Sequence, residues 1–355
     1  MDKILIFTDR TRAGFATAVK QNLMSQMKDA LIIILDDLEL HANAIYDFIE
    51  NFMPLKVNKE KREALKEEKR IQKNVDELPQ FTWEFKEGEE SYVKMRNYFQ
   101  KFNPTLVITI GYGAYLEAIA TRDSLGVRTK VINVIEDYTL NKALVNPYMD
   151  GYVVENLPLK KMLVGCGVDA SKVVLSPLPI ENKYFDEKER EGNVYLSLNR
   201  TMESLLYIGS SEDCDHKKTF HLLKEYENKF NVVIYCGYNR ESYKSALKMG
   251  LNAYNEGASL PMLYDKVDVV LTPGTSYDIL TARHLGKLVA VTPGGLEMEK
   301  RNATYLKSIV VDCTSFDKLE SFLKGYEKSK YFSTALRSTL SIKADLYSAI
   351  KKLGY

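Results

Sequence analysis

The chain is poor in the residues that most quickly betray a function. Among 355 residues there are one tryptophan, four histidines and four cysteines. Cys166, Cys214, Cys236 and Cys313 lie far apart, with no C-x-x-C pair and no histidine at zinc-ligand spacing. A disulfide framework and a zinc knuckle are therefore excluded, and free thiols in a reducing compartment are expected. Neither sign of charge dominates: 49 lysines and arginines face 48 acids, for a net +1. No global field draws the chain to nucleic acid, and no nucleic-acid partner is expected. No apolar run approaches the ~20 residues of a membrane span. Met1-Asp2-Lys3 followed by Ile4–Phe7 is too short for a signal-peptide core. The expectation is a cytoplasmic protein.

What is present is alternation. Short apolar runs without a polar-apolar rhythm, such as Ile4–Thr8, Leu31–Leu35, Leu106–Ile110 and Lys130–Ile135, fit parallel strands covered on both faces. Gly151–Val154 and Val173–Leu175 continue the series, with helical stretches between. Pro177, Pro179 and the charged stretch Asp186–Gly192 read as a linker. The pattern restarts with Ser204–Ile208, Val232–Tyr235, Val267–Leu271, Leu288–Val291 and Ser308–Val311. A long helix is expected near Ser333–Leu353. A chain of this length exceeds one core, so two doubly wound α/β domains are predicted, over residues 1–187 and 188–332, with 333–355 packing back toward the first. Ligands of such sheets bind beyond the carboxyl ends of the strands, which predicts a cleft between the two.

The second half repeats one device. Thr272-Pro273-Gly274-Thr275-Ser276 joins an apolar strand to a helix. Glycine lets a ligand approach the backbone, and the free N–H groups and dipole of a first helical turn favour phosphate. Gly209-Ser210-Ser211 follows an earlier strand in the same way, and Gly294-Gly295 forms a third loop. Together they point to a diphosphate site.

The order of motifs resembles the monogalactosyldiacylglycerol synthases and processive diacylglycerol glucosyltransferases, and the related enzyme that makes peptidoglycan lipid II. The resemblance runs through Val134–Tyr138, Asn146–Val154, Gly165–Val168, Ser176–Ile180 and Phe185. It continues through Val233–Asn239 with its Cys236-Gly237-Tyr238-Asn239, through Val267-Asp268 to Pro273-Gly274, Leu285-Gly286 and Glu299–Ala303. It covers nearly the whole chain. It implies a GT-B fold, with two facing Rossmann-like domains, a UDP-sugar donor in the second and a lipid or cell-envelope acceptor at the first. No separate cofactor is implied.

Departures accompany it. The family's first loop ends in Gly-His, whereas this chain has Arg12-Ala13-Gly14-Phe15. The family's His-x-x-Trp appears as Asn141–Leu144. The glutamate that would hold the donor ribose falls at Thr281; Asp278, one helical turn earlier on the same face, is the substitute. Acceptor-side candidates are Gly14, Phe15, Tyr138 and Asn141. For an inverting transfer the base candidates are Asp137, favoured because it matches the family's Asp-Tyr position, then Asp9 and Glu136. Donor contacts are expected from Gly209, Ser210, Ser211, Cys236, Gly237, Asn239, Pro273, Gly274, Thr275, Ser276, Asp278 and Thr281, and around the sugar from Gly294, Gly295, Glu299 and Asn302. No metal is expected, because helix dipoles and N–H groups can meet the leaving charge. His216 and His221 read as surface residues. Lys56–Lys73, more basic than acidic, reads as a contact with an anionic membrane at its inner face. Two other readings remain open: a sugar-nucleotide-binding protein without catalysis, and an enzyme like the UDP-sugar 2-epimerases.

Overall fold

The computed structural model describes residues 1–8, 12–36, 76, 90–111, 115–210, 214–331, 334 and 343–355. Asp9, Ser211 and Lys56–Lys73 lie outside the described residues. The chain forms two units, residues 1–181 with 343–355, and residues 182–342.

In the first unit the described elements run β1 (Lys3–Thr8), α1 (Ala13–Gln26), β2 (Leu31–Asp36), α2 (Glu90–Phe102), β3 (Leu106–Ile110), α3 (Tyr115–Leu125), β4 (Lys130–Ile135), β5 (Gly151–Val154), α4 (Leu157–Gly165) and β6 (Val173–Leu175). The strands form one parallel sheet in the order β2-β1-β3-β4-β5-β6. Leu106–Ile110 and Gly151–Val154 are buried at every position, as strands covered on both faces must be. Val107, Val131, Ile135 and Tyr152 meet Ala118, Ile119, Leu159 and Leu163 from the helices in one apolar core.

The second unit runs α5 (Glu187–Glu191), β7 (Glu203–Ile208), α6 (His216–Glu225), β8 (Phe230–Tyr235), α7 (Arg240–Lys248), β9 (Asn252–Tyr254), α8 (Leu260–Asp265), β10 (Val269–Thr272), α9 (Ser276–His284), β11 (Leu288–Val291), α10 (Glu297–Tyr305), β12 (Val311–Asp312) and α11 (Phe316–Gly325). Its parallel sheet has the order β12-β11-β10-β7-β8-β9. Strand order reverses between β7 and β10, the point at which such sheets open for a ligand.

Three expectations shift. Asp186–Gly192 contains a helix, α5, capped by the Asp186 carboxylate. It belongs with the second unit: Ser259 donates to the Glu189 carbonyl at 2.6 Å, Arg190 pairs with Asp265, and Tyr184 meets Tyr264 edge to face. Strand β9 escaped the sequence reading because its three residues are all half-buried and form no apolar run. The last strand is Val311–Asp312 and not Ser308–Val311, because Lys300–Ile309 complete helix and turn before the chain extends.

The expected long C-terminal helix is, where described, the shorter α12 (Leu346–Lys352). Lys343–Asp345 are not helical, and Asp345 caps α12 by accepting from Ser348 N at 2.9 Å. It packs in the first unit on α1, β5 and β6. Asn22 Nδ2 donates to the Ala344 carbonyl at 3.0 Å, Asn22 Oδ1 accepts from Leu346 N at 3.2 Å, and Lys130 Nζ donates to the Leu353 carbonyl at 2.7 Å. Leu353 lies where a β-carbon on Gly151 would stand 2.6 Å from its Cδ1. Gly151→Ala should therefore lower stability by about 1–3 kcal/mol. Urea unfolding monitors this, and adding Leu353→Ala should recover part of the loss by vacating the contact.

Candidate functional site

The strand ends of the second sheet are aligned by its register. Leu271 pairs with Tyr207, Ile208 with Tyr235, and Thr272 with Val291. Backbone bonds continue the ladder by one residue: Gly209 N donates to the Tyr235 carbonyl at 2.7 Å, and Thr292 N to the Thr272 carbonyl at 2.8 Å. The loops after β7, β8, β10 and β11 therefore begin at one level along one edge.

Pro273 ends β10, and Gly274 turns the chain with φ 114°, a region that disfavours side chains. A β-carbon there would stand 2.8 Å from the Glu299 carbonyl oxygen. Thr275 occupies the N-cap of α9 without capping it; its hydroxyl donates instead to Glu299 Oε1 at 3.1 Å. Glu299 Oε2 accepts from Leu296 N at 2.5 Å. One carboxylate thus ties the Pro273–Ser276 loop to the Gly294–Gly295 loop. Gly295, at φ 80°, must be glycine, because a β-carbon would fall 2.0 Å from Glu299 Oε2.

Glu299 and Asn302, expected as sugar contacts, are engaged by the protein's own loops in this structure. Glu299 is almost buried, with both oxygens engaged by the protein. Asn302 is fully buried and donates from Nδ2 to Ser276 Oγ at 2.8 Å. Both side chains brace the loops from behind. Asn239 is likewise a helix cap, its Oδ1 accepting from Ser242 N at 3.0 Å.

Asp278 lies in the first turn of α9, where an acid suits the helix dipole. Its Oδ2 accepts from Thr272 Oγ1 at 3.1 Å. Burial pushes its carboxyl up to about 6, against the downward pull of the Thr272 and Thr275 hydroxyls. Thr281, one turn on, is 1% exposed, and its hydroxyl has no partner among the described residues. Arg283 falls in the last turn of the helix, roughly 10 Å from its N-terminus.

The loop after β7 holds residues the sequence reading passed over. His216 is buried, not a surface residue: its Nδ1 lies 3.0 Å from the Tyr207 hydroxyl, and its ring stacks on Phe220. The stripe His216, Phe220, Leu223 at helical spacing carried that signal. Gly209 lies against this pair, a β-carbon there falling 3.2 Å from the Tyr207 ring. Ser210 is exposed at the loop. A β-carbon on Gly237 would meet Ser210 Cβ at 3.3 Å, and one on Gly294 would meet Cys214 Cβ at 3.1 Å. These close approaches join all four strand-end loops. Cys236 is buried beneath them, its thiol pushed up to about 12 by burial. Asp215 caps α6, its Oδ1 accepting from Lys218 N at 3.3 Å.

In the first unit a second cluster sits at the strand ends. Arg12 precedes α1, and Glu136 and Asp137 follow β4. Arg12 Nε lies 2.7 Å from Glu136 Oε1, and its terminal nitrogen 3.7 Å from Asp137 Oδ2. All three side chains are nearly buried. Of the acceptor-side candidates, Gly14 is partly exposed, while Phe15, Tyr138 and Asn141 are buried. Phe15 and Tyr138 pack inside, and Asn141 Oδ1 accepts from Ala143 N at 2.9 Å to cap a short 3-10 turn. Among the described residues no helix is long and apolar enough to cross a membrane.

No family model matches the chain. A processive diacylglycerol β-glucosyltransferase of Staphylococcus aureus strain bovine RF122 is 24% identical over 240 residues, which span 66% of this chain and 57% of that protein. MurG of Acinetobacter baumannii superposes with a TM-score of 0.60 at 12% identity, over the full length of both chains. A UDP-GlcNAc 2-epimerase of Neisseria meningitidis, solved with UDP-GlcNAc, gives 0.58 at 12% identity over 94% of each. Two six-stranded parallel sheets flanked by helices, each in its own unit, and these likenesses make the chain a two-domain α/β protein of the GT-B fold.

Proposed function

We propose that the protein is a glycosyltransferase that binds a UDP-sugar at the strand ends of its second unit and passes the sugar to a hydroxyl of a lipid or cell-envelope acceptor. The observation that carries the reading is the pair of bare glycines at positive φ, Gly274 and Gly295, both packed against Glu299, the first on its backbone and the second on its carboxylate, beside the start of α9. That arrangement keeps the backbone open to a diphosphate and points a helix N-terminus toward it. The Staphylococcus relative, by name a diacylglycerol glucosyltransferase, supports a lipid acceptor.

In this reading the acceptor oxygen attacks the anomeric carbon from the face opposite the diphosphate, so configuration inverts. The bond between that carbon and the phosphate oxygen breaks, and UDP leaves with the electron pair. The acceptor proton passes to the Asp137 carboxylate. The amides past Pro273 and the α9 dipole meet the growing charge on the diphosphate, so that no metal is needed for that task. Asp278 accepts from the ribose hydroxyls in place of the missing glutamate. The protein works at the inner face of the cell membrane.

Calorimetry with UDP tests the donor site, and a screen of UDP-glucose, UDP-galactose and UDP-GlcNAc with diacylglycerol micelles tests transfer. The expected result is UDP binding together with a glycosylated lipid. An epimeric UDP-sugar formed without acceptor would favour the epimerase-like reading. Binding of UDP without turnover would favour a protein that has lost catalysis. Gly274→Ala should weaken UDP by roughly tenfold or more, since it strains a backbone at positive φ and pushes on Glu299.

Asp278 gives a second, pH-dependent expectation. Uridine, which does not ionise near neutrality, should bind more tightly as pH rises through about 6, because the ionised carboxylate is the better acceptor of ribose hydroxyls. Asp278→Asn should weaken uridine and flatten that dependence. Stability moves the other way. The folded state binds the Asp278 proton more tightly than the unfolded chain does, so wild-type stability falls between pH 4 and about 6. Asp278→Asn should remove that fall and be more stable than wild type at pH 7 by about 1–2 kcal/mol. Denaturant titrations at both pH values read this directly.

A further inference from the structure

We infer that the outer face of α4, with the end of the neighbouring edge strand β6, docks the first unit on an anionic lipid surface. This rests on the transfer reading above, from which the lipid partner is taken. Helix α4 is apolar on its outer side as well as its inner one. Leu159 and Leu163, four apart, are fully buried and join the core of the sheet. Leu157 and Val164, seven apart, fall on one line along the opposite side of the helix. They are 50% and 38% exposed, and Met162, on the other flank of Lys161, is 38% exposed. Strand β6 ends the sheet, and its last residue, Leu175, is 42% exposed. Leu175 pairs with Val154, three residues before Leu157, so the two exposed leucines stand at the same end of the sheet. Single exposed apolar residues are ordinary, but several on one short helix and the strand beside it mark a contact surface.

The charge around them has one prevailing sign. From Leu157 to Ile180 the chain carries Lys160, Lys161 and Lys172 against Asp169 alone. Lys161 is exposed on the outer side of α4. Lys160 Nζ donates to the Val173 carbonyl at 2.6 Å, and Lys172 Nζ to the Met149 carbonyl at 2.9 Å. These bonds hold both ammonium groups along the α4–β6 edge, and a neutral carbonyl leaves their charge in place. Asp169 lies beyond the end of α4, its Oδ1 accepting from Ser171 N at 2.8 Å and from Ser171 Oγ at 2.7 Å. An apolar line with lysines on either side complements a bilayer of anionic lipid. The acyl boundary receives the apolar side chains, and the phosphates receive the ammonium groups.

The experiment sediments the full-length chain with vesicles, either phosphatidylglycerol mixed with phosphatidylcholine or phosphatidylcholine alone. The mixed vesicles should retain the protein at least about fivefold better. Leu157→Ser, Met162→Ser and Val164→Ser together should lower retention about tenfold or more, and Lys161→Glu alone about fivefold or more. Met24→Ser, Val93→Ser and Leu247→Ser, three comparably exposed apolar positions elsewhere, should together match wild type. All the replaced side chains are exposed, and unchanged UDP affinity checks that each variant folds. Retention of wild type by neither vesicle overturns the assignment. So does equal retention by both, or a triple variant or Lys161→Glu within about twofold of wild type. A lipid-free dimer that the triple variant abolishes assigns the face to a second copy of the chain and also overturns it. With UDP-glucose, the triple variant should lose transfer to diacylglycerol in vesicles while matching wild type on a short-chain diacylglycerol dissolved in water. A wild type that docks as expected yet transfers sugar to neither overturns the transfer reading and leaves the docking face standing.

Discussion

The Glu299 carboxylate stands between two backbones that could not otherwise approach each other. One oxygen receives the Thr275 hydroxyl and the other the Leu296 amide, while Gly295 gives the carboxylate room and Gly274 does so for the Glu299 backbone. Remove the carboxylate and two loops lose their common partner. A methyl group on Gly295 would press on the carboxylate, and one on Gly274 on the Glu299 backbone. Asn302 reinforces the same junction from below through Ser276. The start of α9 is therefore rigid before any ligand arrives. A preorganised set of backbone donors gives more electrostatic stabilisation than one that must reorganise around a developing charge. The start of α9 is thus lined by uncharged backbone, with the Glu299 carboxylate serving as a strut.

That junction exists because parallel strands leave their carboxyl ends at one edge. Each crossover helix returns the chain to the opposite edge, so every loop that follows a strand emerges on the same side. In the second sheet the consequence is that residues from the exits of β7, β8, β10 and β11 converge without a long loop among them. Tyr207 illustrates the economy. It is a fully buried strand residue, yet its hydroxyl meets His216 on the following helix, and its ring supports Gly209 at the loop.

The layout was legible in the sequence because its signals are local. Leu106–Ile110 and Val269–Thr272 are unbroken apolar runs, and their complete burial follows from the parallel geometry. Pro273-Gly274 was legible for the same reason, since chain reversal at a strand end demands those residues nearby. What was not legible depends on partners remote in sequence. Glu299 and Asn302 share a helix face, and sequence alone cannot say whether that face meets a sugar or the protein's own loops. Phe15, Tyr138 and Asn141 matched the expected acceptor side by motif position, but motif position carries no information about depth. Edge strand β9 failed for a different reason: half-buried on both faces, it has no hydrophobic pattern to read.

The two clusters at the strand ends answer different chemical demands. A diphosphate arrives already charged, and fixed dipoles can accommodate it without a titratable partner that would compete for protons. A hydroxyl arrives neutral and must lose a proton only as it reacts, so its partner has to be a group that can carry the charge beforehand and surrender it afterwards. A carboxylate buried alone would meet the first requirement poorly, because desolvation favours its neutral form. A carboxylate bonded tightly to an arginine would meet the second poorly, because the bond stabilises the charge it must give up. In the second unit Asp278 accepts from the Thr272 hydroxyl, and burial raises its proton affinity while the Thr272 and Thr275 hydroxyls lower it, leaving the carboxyl at about 6.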